Sequence, residues 1–167
     1  MKGIINMKYL ILNLIIGSLL MAPNAWSAED HGHAHKPIAG PKGGKVLETE
    51  PLHAEFFVQP DKKVSLTFYE ADMKPVPPTT QEIKVIAEPK SGKATLEFNK
   101  TAEGFVSKTA LPEGEGYRIV VQIKNEATAK PQNFRIDYHT EICGECKRAE
   151  YACACEHAGS EHEGHSH

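Results

Sequence analysis

Alternation of apolar and polar residues, restarted about every ten residues from position 46 onward, limits what this chain can become more than any other feature. It runs through Leu52-Ala54-Phe56-Val58, Val64-Leu66-Phe68, Ile83-Val85-Ala87, Ala94-Leu96-Phe98, Tyr117-Ile119-Val121-Ile123 and Phe134-Ile136-Tyr138. Successive side chains of an extended chain point to opposite faces, so each segment gathers its apolar set on one face of a strand. A further strand is expected from Phe105 to Leu111, with an ambiguous inward register. Gln59-Pro60-Asp61-Lys62, Glu88 to Gly92, and Glu113-Gly114-Glu115-Gly116 carry turn chemistry and predict antiparallel hairpins. Pro75, Pro77 and Pro78 cannot donate ladder hydrogen bonds, so Lys74 to Thr80 is expected to cross between sheets. No amphipathic helix and no internal repeat interrupts the pattern. The prediction is all-β: a single immunoglobulin-like or transthyretin-like β-sandwich of seven to eight strands over residues 45–139.

The ends have a different composition. Lys2 and Lys8 precede an apolar run from Tyr9 to Met21, followed by small and polar residues. This reads as a secretory signal peptide over residues 1–27, cut after Ala25-Trp26-Ser27. The run is shorter than the roughly 20 residues a membrane-spanning helix needs. A periplasmic chain with no membrane attachment after cleavage is therefore expected. Losing two lysines and no acid takes the formal charge from −3 to −5 with neutral histidines. No basic stripe points to nucleic acid or to an anionic membrane.

Residues 28–44 combine His31, His33 and His35 with Pro37, Gly40, Pro41, Gly43 and Gly44. Such a composition cannot build a core and predicts a disordered arm, in which Gly40 to Gly44 reads as a linker. The alternating imidazoles share one side of an extended chain and could share one ion. Residues 140–167 hold Cys143-x2-Cys146-x6-Cys153-x-Cys155-x-His157, followed by His162, His165 and His167. A Cys-x2-Cys turn can aim two sulfurs at one ion, and the second pair can complete a tetrahedron, with His157 as a replacement ligand. The spacing matches no named zinc motif. Thiolate and imidazole donors favour zinc or another divalent or soft heavy-metal ion: cadmium, cobalt, nickel or copper. After cleavage Met73 is the one methionine left, so thioether-rich copper chemistry is missing. His53 and His139 read as plain surface residues.

In an oxidising compartment an even number of cysteines is also a disulfide signal, and crossed pairing between the two pairs is the more plausible geometry. Both readings stay open at this level. Redox exchange ranks below them, because Cys143-Gly144-Glu145-Cys146 follows a strand instead of opening a helix.

Gly40-Pro41-Lys42-Gly43-Gly44-Lys45-Val46, Ala54-Glu55-Phe56-Phe57-Val58 and the stretch from Val64 to Val76 resemble a known domain. It is the small N-terminal β-sandwich of periplasmic adaptor subunits of cobalt-zinc-cadmium-type heavy-metal efflux pumps, with its free-standing exported relatives. The resemblance covers residues 38–125 and implies a role in metal resistance with an efflux adaptor or pump as partner. The adaptors continue into a long coiled-coil hairpin at the point where this sequence departs from them. No Ser-His-Asp set, phosphate loop or His-Glu-x-x-His motif appears, so no enzyme is expected. The sequence predicts a periplasmic heavy-metal-binding protein that sequesters ions or passes them to an efflux system. The alternative is a non-enzymatic envelope interaction module whose cysteines form structural disulfides.

Overall fold

The structure is a computed structural model that describes residues 37–155. Two antiparallel sheets face each other. Ten strands follow in chain order: β1 (Lys45–Glu48), β2 (His53–Val58), β3 (Lys63–Tyr69), β4 (Pro75–Val76), β5 (Glu82–Glu88), β6 (Ala94–Leu96), β7 (Phe98–Lys100), β8 (Phe105–Ala110), β9 (Tyr117–Lys124) and β10 (Gln132–Tyr138). The first sheet runs β1-β2-β3-β8-β7, with β4 paired to the end of β3, and the second runs β10-β9-β5-β6. Among the described residues no helix is long and apolar enough to cross a membrane.

The expected alternation sets the core. Ala54 and Phe56 pair in register with Phe68 and Leu66, while Val85 and Ala87 pair with Val121 and Ile119. All eight are fully buried between the sheets. Apolar burial at about 25 cal/mol per Å² makes this interior the main source of stability.

Two connections differ from the sequence reading, and a third matches it with a later start. The alternation through Ala94, Leu96 and Phe98 looks continuous, yet it is split: β6 pairs with β5 and β7 pairs with β8, so the chain changes sheets at Glu97. Strands that turn a sandwich corner keep their inward phase, which hides the break. Glu113 to Gly116 is a second crossing, since β8 and β9 belong to different sheets. The expected crossing after Lys74 is present, since β5 lies in the other sheet, but Pro75 and Val76 first pair with Tyr69 and Phe68 and the chain crosses only after them.

The ambiguous register of β8 has a cause. Pairing shifts between Lys63 and Ser65, which leaves the Val64 N–H without a ladder partner. Ser107 Oγ accepts that N–H at 2.9 Å, so a serine holds an inward position.

Gly40 to Gly44 is not a linker. Glu55 sits on the nominally polar face of β2 but is fully buried. Its carboxyl oxygens accept the backbone N–H of Lys42 at 2.9 Å, that of Gly44 at 2.8 Å and the Tyr69 hydroxyl at 2.7 Å. Burial, then the Glu55 hydrogen bond, pushes the Tyr69 phenol above its usual range. A Cβ at Gly40 would collide with Glu55 Oε1, and one at Gly44 with the Phe56 carbonyl oxygen. The glycines therefore let the loop close over a carboxyl group that would otherwise be buried without partners.

Candidate metal centre

Beyond β10 the chain folds back on itself. Glu150 N–H donates to Glu141 O at 2.8 Å and Cys143 N–H donates to Arg148 O at 2.8 Å, with Ile142 opposite Ala149 in an antiparallel bridge. Lys147 N–H donates to Cys143 O at 3.1 Å and closes the tip. Lys147 has φ +58°, the left-handed conformation that turns the chain sharply after Cys146. This tight turn aims Cys143 and Cys146 to one side.

A single 3-10 turn, Glu150–Ala152, then leads to the second pair. Cys153 leaves the turn with extended backbone, and its sulfur and that of Cys155 both reach the cluster. Tyr151 fixes where this happens. Its side chain is buried between Phe56, 6.0 Å away edge to face, and Tyr138, 5.8 Å away. The Val58 N–H donates to its hydroxyl at 3.0 Å. Tyr151 N–H donates to His139 O at 3.1 Å, and Arg148 Nη1 donates to Gly40 O at 3.1 Å. The cysteine segment is thus docked on the sandwich.

All four thiols are free and half-buried. Their sulfurs lie within 4.8 Å of one another. The separations are 3.6 Å for Cys143–Cys153, 3.7 Å for Cys143–Cys155 and 3.7 Å for Cys146–Cys153. Zinc–sulfur bonds of about 2.3 Å place the sulfurs of a tetrahedral site about 3.8 Å apart. The donor set fits a tetrahedral soft cation.

The thiols differ in acidity. The N–H groups of Ala154 and Arg148 are directed at Cys146 and bring its thiol down to about 6. At Cys153 the N–H of Cys155 acts in the same direction, but burial and the sulfurs of Cys143 and Cys146 outweigh it and leave the thiol raised. Hydrogen bonding with Cys153, followed by burial, pushes Cys155 up as well. Crowded thiols resist ionising together unless a cation joins them.

Of the residues singled out in the sequence, the structure brings together Cys143, Cys146, Cys153 and Cys155. His31, His33, His35, His157, His162, His165 and His167 lie outside the described residues. His53 and His139 are not part of the cluster. His53 is half-buried with Nδ1 unpartnered among the described residues, which its surface reading did not anticipate. Tyr151 is the one aromatic residue between the cysteine pairs, and its position there is the sequence signal for the docking.

Comparison of the chain with protein-family models, with curated proteins and with solved structures finds no match. What stands is an antiparallel two-sheet fold carrying a four-cysteine cluster able to hold a metal ion.

Proposed function

We propose that this chain is an exported, non-enzymatic metal-binding protein whose Cys143, Cys146, Cys153 and Cys155 retain one zinc-like divalent ion. The observation that carries this reading is the set of sulfur separations, 3.6 to 3.7 Å, made by two turns that meet on the sandwich. Four protein donors leave no open position for substrate water, which supports retention over hydrolytic catalysis. The signal-like leader supports a periplasmic setting, and the flanking histidines supply weaker donors for capture. In this reading the protein sequesters zinc, or a competing cadmium, cobalt, nickel or copper ion, or passes it to an efflux system.

The test is metal content and free-thiol count on protein recovered from the periplasm without chelator or reductant. The reading expects about one ion per chain and thiols that react only after chelation. Replacing all four cysteines by serine should abolish tight binding. No metal, together with no free thiols before reduction, would sink the proposal and put a disulfide-held interaction module in its place.

A further inference from the structure

Cys153 differs from its partners in what lies beside it. It lines a cleft of about 170 Å³ with Lys45, Glu48, Pro37, Ile38 and Ala152. A larger groove of about 500 Å³, lined by Tyr151, Lys147 and Arg148, contains no cysteine. Lys45 opens β1 and is half-buried, on the strand face that also carries buried Leu47. Glu48 is exposed and occupies the opposite phase of the strand. Burial pushes the Lys45 ammonium down from its usual range, and the Asp137 carboxylate opposes that shift. The lining of the cleft thus places the Lys45 side chain, with exposed Glu48 at its edge, next to one ligand cysteine.

This placement bears on how an ion leaves. Four thiolates around a divalent cation carry a net charge of −2, which repels any incoming anionic donor. A cation at one ligand locally offsets that repulsion. Building on the metal-binding reading above, we infer that the cleft at Cys153 is the exchange port of the site, where Lys45 guides an anionic chelating ligand, a carboxylate or thiolate of a metal acceptor, to the ion. In the exchange a donor atom of the acceptor bonds to the metal, the metal–Cys153 sulfur bond breaks, and the freed thiolate takes a proton from solvent. The ion keeps its charge throughout. Lys45 is a positioning residue here, not a ligand.

The experiment follows zinc release from the zinc-loaded full chain at low ionic strength, driven either by EDTA, a polyanion, or by a neutral tetrapyridyl diamine chelator. Electrostatic guidance of this kind changes encounter rates by about tenfold or more. Lys45→Met should slow EDTA-driven release about tenfold and leave release to the neutral chelator within twofold. Lys45→Arg should retain the wild-type rates, as should Lys84→Met on the exposed face of β5. A purely structural role for Lys45 would move both chelators alike, and that result would overturn the port. So would an unchanged EDTA rate. Should Lys45→Met fail to fold, Lys45→Gln, which also removes the charge but keeps a polar side chain, takes its place with the same expected result, and equal slowing with both chelators refutes the inference. A chain that binds no zinc overturns the metal reading itself, whereas bound zinc with charge-blind release overturns only the port.

Discussion

Replacing Tyr151 by alanine separates the role of the sandwich from that of the cysteines. The ring is 6% exposed and touches Phe56 and Tyr138, so its removal leaves a cavity at the edge of the core. Large-to-small changes of this kind cost about 3–5 kcal/mol. Part of that belongs to the hydroxyl, since an orphaned Val58 N–H costs about 1–3 kcal/mol. Cys153 stands two residues further on, so the same docking sets the second sulfur pair against the first. If docking organises the site, its loss must reappear in metal affinity, where each 1.4 kcal/mol is about tenfold. Tyr151→Ala should then raise the zinc Kd by about a hundredfold or more, with Tyr151→Phe in between. Competition against a chromophoric chelator gives the affinity, and urea unfolding of metal-free protein gives the stability. Loss of stability with zinc affinity within threefold of wild type would refute the argument, because the two cysteine pairs would then assemble without the sandwich.

Acidity is expected to weaken binding, since protons compete for every sulfur. Cys153 and Cys155 are raised and remain thiols at pH 7, so calorimetry in buffers of different ionisation enthalpy should show at least two protons released per ion. Affinity should keep falling as the pH drops through about 6, where the depressed Cys146 thiolate is also protonated. Glu55→Gln puts an amide donor among the donors of Lys42, Gly44 and Tyr69, and should lower unfolding free energy by about 1–3 kcal/mol in urea titrations. Ser107→Ala leaves the Val64 N–H unpaired and should cost a similar amount, about 1–3 kcal/mol, with no change in zinc stoichiometry.

The strands were legible because burial on one face writes itself into alternate residues, as in Tyr117, Ile119, Val121 and Ile123. Sheet membership was not. Leu96 and Phe98 keep one phase while the chain passes from one sheet to the other, and nothing local marks the corner. Glu55 occupies a polar-phase position that a solvated face would fill the same way. Its burial comes from a loop 11 to 13 residues earlier, a tertiary contact without period. The four cysteines announced themselves by spacing and chemistry. Their free state and their docking through Tyr151 depend on where β10 delivers the chain, which spacing cannot express.

The turn that carries Cys143 and Cys146 also places Lys147 and Arg148 side by side at its tip. Trypsin cuts after both residue types, provided the backbone can open into an extended form. An ion tied to sulfurs on each side of that tip would deny the protease its substrate. Metal supply would then govern the chain's lifetime, with the starved protein nicked at its own binding site and the loaded one spared. Limited digestion with and without chelator reads this directly, and equal cleavage at Lys147 and Arg148 would rule it out.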